Sequence, residues 1–138
     1  MGRLVMLLWV LVAMIVVGLG YIRLAPSDPV TWHRMPETAA DKDFANGVIR
    51  RLQTGPDGLT RLDRIITDTP RTNLLFGSPG DGFATYVTRS AVMGFPDYTT
   101  VEQDGDTLTI YARSRFGRSD FGVNRDRVQT WIGLLQPG

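Results

Sequence analysis

The run SRFGRSDFGVNRDRV, Ser114 to Val128, places four arginines, two aspartates and two glycines within fifteen residues. It stands directly before an apolar-periodic stretch that reads as a helix. The guanidinium is a rigid fork of donors matched to carboxylate and phosphate, and helix-start amides carry the positive end of the dipole. An anion- or partner-binding site is therefore expected here from Arg115, Ser119, Asp120, Asn124, Arg125 and Arg127. Arg89 and Asp97 would join it from the preceding strands. The same residues support a structural reading. In that case Arg125 pairs with Asp97 or Asp120, and Asp120 or Asn124 caps the helix.

Other chemistry is thinly provided for. His33 is the only histidine, and it lies in a proline-rich segment more than fifty residues before Ser90. A Ser–His–Asp arrangement would need that segment to fold back onto the domain, so His33 is expected to be an interfacial residue. Lys42, the sole lysine, meets the same obstacle as a base; a GC-rich genome would produce the same preference for arginine. The chain has no cysteine, which removes disulfides, thiol catalysis and cysteine–zinc sites. Asp104 and Asp106 flank a turn and supply too few oxygens for calcium. No metal or other cofactor is expected. Asp97 and Asp120 with Ser119 could serve a hydrolase, although nothing in their spacing brings them together. GSPGDG, Gly77 to Gly82, has the glycines of a phosphate loop but lies between two strands with no helix following. A net charge of +1 provides no global field toward nucleic acid, so no nucleic-acid partner is expected.

The elements that must position these residues begin with a membrane segment. Leu4 to Ile22 is a run of nineteen residues without a charge, and at 1.5 Å per residue it spans roughly 28 Å, close to a bilayer's hydrocarbon thickness. Tyr21 and Trp32 fall near its far boundary, where amphipathic aromatics settle, and Pro26 and Pro29 stop the helix. Residues 1–24 read as a transmembrane anchor contacting the lipid bilayer through residues 4–22. Gly18 and Gly20 would alternatively form the small-x-small site of a signal peptide. The short start before the span favours an uncleaved, single-pass protein of the inner (cytoplasmic) membrane with a periplasmic domain. Residues 25–56 read as tether and irregular lead-in, and 57–138 as the globular domain. In that domain Asp57 would cap a helix carrying Leu59, Leu62, Ile65 and Ile66 on one face. TNLLFG and FATYVTRSAVM read as strands, and VEQDGDTLTIYA as a hairpin turning at Asp104–Gly105. Leu108, Ile110 and Ala112 share one face of its second strand; Thr109, Tyr111 and Arg113 share the other. Val128, Trp131, Ile132 and Leu135 mark a final amphipathic helix. The fold class is α+β: a two-layer domain with an antiparallel meander of about four strands, and two helices covering one side.

Two blocks, YVTRSAVMGFPDY and ARSRFGRSDFGVNRDRV, together resemble the family catalogued as domain of unknown function 1499. The resemblance covers roughly Asp57 to Leu135. It is strongest at Ser114–Arg115, Gly117, Ser119–Asp120, Gly122 to Arg125 and Arg127, with Arg89–Ser90 and Phe95 to Asp97 in the earlier block. It implies a small bacterial α+β domain behind a membrane or export segment, and no agreed activity. One departure stands out: the arginine of the family pattern near Tyr111 is found here at Arg113.

Three functions compete. The first is a non-enzymatic envelope module binding an anionic lipid, a cell-wall polymer or a membrane protein partner. The second is an accessory or assembly subunit of a membrane complex. The third is the hydrolase built on Asp97, Asp120 and Ser119. A concave basic patch would favour the first, an apolar surface patch the second, and a deep pocket with paired carboxylates the third.

Overall fold

The computed structural model describes residues 2–37 and 40–136. Helix α1, Gly2–Leu24, is 23 residues long with a mean hydropathy of 2.7 over its most apolar window, and no residue of that window is buried in protein. It is long and apolar enough to cross a membrane. A single turn of helix, α2 (Pro29–Trp32), follows. Asp28 starts that turn by accepting the Val30 amide at 3.1 Å, with Pro29 in the first helical position.

Six antiparallel strands form one sheet in the order β1-β2-β6-β5-β4-β3. They are β1 (Lys42–Phe44), β2 (Gly47–Gln53), β3 (Thr72–Ser78), β4 (Phe83–Arg89), β5 (Pro96–Asp104) and β6 (Thr107–Ser114). The expected meander is β3 to β6, and β1 and β2 extend the sheet beyond β6. The lead-in thus contributes two strands that its sequence obscures. Arg50–Arg51 breaks the alternation of GVIRRLQ, and Arg50 shares the face of Val48 and Leu52. Its guanidinium escapes the core by reaching Asp43 of β1 at 2.7 Å. The hairpin turn is displaced by one residue from the expected position. Asp104 pairs with Thr107, so the two turn residues are Gly105 and Asp106, with φ +58° at Gly105.

Helices α3 (Gly58–Thr67) and α4 (Val123–Leu135) cover one face of the sheet. Leu59, Leu62 and Ile66 of α3 and Val128, Trp131 and Leu135 of α4 close over Val48, Ala84, Tyr86, Val101, Leu108, Ile110 and Ala112. Each Val, Leu or Ile side chain among them contributes about 1.5–3 kcal/mol when fully buried. The polar tips are met: Trp131 Nε1 donates to Thr69 Oγ1 at 2.9 Å, and Tyr86 OH to Asp63 at 2.5 Å. Asp57 does not cap α3. Its backbone (φ −95°, ψ 7°) is not extended, and its carboxylate instead pairs with Arg61 at 3.2 Å. Gln103 Oε1 of β5 accepts the Leu59 amide at 2.9 Å.

The opposite face of the sheet is not bare. Tyr98, Thr85 and Thr100 are fully buried there, and Arg113 nearly so. Their cover is the segment after α1, which folds back across the strands. Trp32 stacks on Tyr98 with ring centroids 4.3 Å apart, and Ser27 Oγ lies 2.6 Å from Tyr98 OH. His33 meets Thr85 Oγ1 at 2.7 Å and packs on Phe83 at 4.1 Å. Trp32 and His33, expected at the membrane interface, are therefore part of the folded domain. The aromatic surface that Tyr98 and Phe83 offer decides the point.

Candidate functional site

The Ser114–Val128 corner is a closed hydrogen-bond network. Asp120 N donates to Ala45 O at 3.0 Å, which ties the loop to the β1–β2 turn. The Asp120 carboxylate accepts from Gly122 N (2.9 Å), Asn124 N (3.0 Å) and Asn124 Nδ2 (2.9 Å). Partial burial acts to raise its pKa. The hydrogen bonds from Asn124 and Gly122 together outweigh burial and hold the carboxyl below its ordinary value. Asn124 is fully buried. Its amide also donates to Ser114 Oγ at 3.1 Å, and its carbonyl accepts from Arg127 Nη1 at 3.0 Å. Arg127 in turn pairs with Asp97 at 3.2 Å, with both side chains largely buried. The chain's own carboxylate thus occupies the positive end of α4.

Arg125 does not pair with Asp97 or Asp120. The helix turns it outward, where its nearest carboxylate is its neighbour Asp126 at 3.5 Å. Its guanidinium lies over Gly122, where an added Cβ would meet Nη2 at 2.6 Å. Ser119 is exposed, and its hydroxyl accepts the Phe121 amide at 3.2 Å. Arg115 leaves the corner and donates to Pro26 O at 3.0 Å and Tyr98 OH at 3.1 Å. Arg89 donates to Gly94 O at 3.0 Å and Ile22 O at 3.4 Å, beside the end of α1. Of the eight expected site residues, Asp97, Asp120, Asn124 and Arg127 form one network. Arg89, Arg115 and Arg125 point elsewhere, while Ser119 lines one cleft of about 420 Å³ with Asp97, Asp120 and Arg127.

A second arrangement involves Arg113, which is not among the eight expected site residues. A cleft of about 870 Å³ runs between residues 31–37 and the second face of the sheet. Arg113, 5% exposed, lies in its floor. Its Nη1 donates to Thr100 Oγ1 at 2.8 Å and Tyr111 O at 3.1 Å, and its Nη2 to Trp32 O. The Tyr111 ring lies 4.3 Å away and the Trp32 ring 5.7 Å. Among the described residues no carboxylate reaches it within 4.0 Å. Burial pushes the guanidinium down to about 10, against smaller opposing effects from Tyr111 and Tyr98, so it stays cationic at neutral pH. Arg34, Arg115, Asn46 and Ser114 also line the cleft, with Glu37 and Glu102 among its remaining lining residues. His33, on the same wall, has its pKa lowered by burial and then by the Arg113 charge.

A family model for "Protein of unknown function (DUF1499)" matches residues 22–135. The chain belongs to the DUF1499 family. The DUF1499 match takes in the folded-back segment as well as the sheet and both covering helices, beginning well before the Asp57 start of the resemblance in sequence. No curated protein matches the chain. The departure at Arg113 leaves the charge on one side of the sheet, since Tyr111 and Arg113 are two residues apart on one strand and share a face. The expectation that singled out the corner rested on residue density. Arg113 gave a weaker signal: a charge alternating with Thr109 and Tyr111 on a face taken to be open.

Proposed function

We propose that this DUF1499 protein is a membrane-anchored, non-enzymatic module that binds an anionic group in the cleft floored by Arg113. The observation that carries this reading is a buried guanidinium whose hydrogen-bonding partners among the described residues are all uncharged oxygens. A buried charge without a counter-ion is costly. An entering phosphate or carboxylate would supply that counter-ion and gain the forked donors of Arg113 and Arg115. Asp97 and Asp120, the alternative hydrolytic pair, are already engaged with Arg127 and with the start of α4. The anchor is α1, and the proposed location is the inner membrane with the domain on its periplasmic side. Topology is checked by adding protease to spheroplasts, which should digest the domain while intact cells protect it.

The binding test is a melting scan of the full chain in detergent, with and without inorganic phosphate at constant ionic strength. Binding to the folded state alone raises the melting temperature. Wild type should gain thermal stability, Arg125→Ala should gain as much, and Arg115→Ala and Arg113→Lys should gain less. No phosphate-dependent shift in wild type, or an undiminished shift in both cleft variants, would show the reading to be wrong.

A further inference from the structure

The end of the domain next to α1 carries an unusual surface. Strands β4, β5 and β6 present there the loops 90–95 and 115–122, beside the N-terminus of α4. Among the described residues, eight large apolar side chains beyond α1 are exposed, and five of them lie at this end: Val92, Met93, Phe95, Phe121 and Val123. Val92 is 79% exposed and Phe121 92%. Phe121 also holds φ +54°, a left-handed conformation that an aromatic residue seldom adopts, and so presents its ring outward on a constrained turn.

The level of this surface relative to a bilayer follows from its contacts with α1. Arg23 Nη2 donates to Val92 O at 2.7 Å, and Arg89 Nη1 to Ile22 O at 3.4 Å. Tyr21 meets Phe116 edge-on at 6.2 Å, and Phe116 meets Phe95 at 6.4 Å. Both loops therefore lie level with Tyr21–Arg23, where the charge-free run ends and lipid headgroups begin. Three guanidiniums, Arg23, Arg71 and Arg89, line one cleft of about 420 Å³ at this end. Arg71 Nε donates to Arg89 O at 3.1 Å. Among the described residues none of the three has a carboxylate within 4.0 Å. Asp120 is the only acidic residue of the two loops, and its carboxylate is consumed at the start of α4.

We infer that this end of the domain seats in the membrane interface, with Val92 and Phe121 immersed and the Arg23–Arg71–Arg89 cleft holding an anionic phospholipid headgroup. The occupant is lipid because the apolar side chains and arginines continue the interfacial end of a membrane-spanning helix, and basic groups at that level attract anionic headgroups. The domain is thus held against the bilayer at a second surface and does not swing on a tether. This inference rests on α1 crossing a membrane and is independent of ligand binding at Arg113.

The test uses the full chain, whose lack of cysteine allows single labels. Val92→Cys, Phe121→Cys and, at the distal hairpin, Gly105→Cys are each spin-labelled and reconstituted in phosphatidylcholine vesicles with or without phosphatidylglycerol. Variants are accepted if their melting temperature matches wild type. The expected result is a several-fold higher ratio of oxygen to nickel-chelate accessibility at 92 and 121 than at 105. Phosphatidylglycerol should deepen the label at 92, and adding Arg71→Gln should reduce that deepening. Labels at 92 and 121 as accessible to nickel chelate as the label at 105 would overturn the inference and leave the patch to a protein partner. A deepening that Arg71→Gln does not change would overturn the headgroup cleft.

Discussion

At the scale of single residues, the corner separates arginines that look equivalent in sequence. Arg127 is held between Asp97 and Asn124, whereas Arg125 faces solvent. Arg127→Ala would leave Asp97 largely buried and unpaired, and should destabilise by about 2–4 kcal/mol. Asn124→Ala removes donors from Asp120 and Ser114 and should cost about as much. Arg125→Ala should change stability by less than about 0.5 kcal/mol. Unfolding of the three variants by guanidinium in one detergent orders them; a large loss at Arg125 would contradict the exposed geometry. Thr99 provides the reverse case. Its hydroxyl is fully buried and has no hydrogen-bond partner among the described residues. Thr99→Val keeps the shape and should raise stability by about 1 kcal/mol, read from the same denaturation midpoints.

At the scale of elements, strand alternation predicts damage only when the cover on each face is known. Leu108 lies on the helix-covered face and is fully buried. Leu108→Asp should unfold the domain, because an unpaired carboxylate there costs several kcal/mol. Thr109 on the other face is also buried, but it lies between Arg51 of β2 and Glu102 of β5 and lines a polar cleft. Thr109→Asp should cost about 1–2 kcal/mol, since a carboxylate there can reach water and Arg51 but faces Glu102 across the strand pair. Thr100, on that same face of β5, is sealed beneath Trp32 and hydrogen-bonded to its carbonyl at 3.1 Å. Thr100→Asp should nevertheless be milder than Leu108→Asp, because the new carboxylate would meet the Arg113 guanidinium, which now donates to Thr100 Oγ1 at 2.8 Å. Melting temperatures of the three variants test this pattern, and a Thr100→Asp variant as damaging as Leu108→Asp would mean that Arg113 gains nothing from a counter-ion at this position.

At the scale of the whole molecule, the folded-back segment joins α1 to the sheet through polar and aromatic contacts, one of which titrates. The folded-state pKa of His33 lies below 6.5 because of burial and the Arg113 charge. The folded protein resists protonation there while the unfolded chain accepts the proton. Stability from this site is therefore complete above about pH 6.5 and falls as pH drops from 6.5 toward the lowered value. Protection factors against hydrogen exchange in residues 25–37, corrected for the intrinsic pH dependence of amide exchange, should fall as pH drops from 7.5 to 5.5 in the full chain, and His33→Gln should remove that fall. The Asp120 carboxyl, also lowered, adds a separate loss only below about pH 4. Unchanged protection in wild type across the upper range would show that protonation of His33 does not loosen this layer.

Local patterns were legible wherever neighbours in sequence are also neighbours in space. The nineteen-residue apolar run, the period-two strands of the meander and the stripe of Val128, Trp131 and Leu135 each state their own structure, because backbone geometry repeats over a few residues. The density of Ser114 to Arg127 likewise marked a corner, and its motif marked the family. Pairing across the fold was decided elsewhere. Which arginine meets Asp97 depends on the turn that α4 makes after Gly122, since residues 125 and 127 point to different sides of a helix. β2 became a strand despite Arg50–Arg51 because β6 offered it a full edge of hydrogen-bonding groups. The segment after α1 carries no period to read. It is ordered by Tyr98, Phe83, Thr85 and Arg113, residues fifty or more positions away, and only the assembled sheet brings those four into one surface.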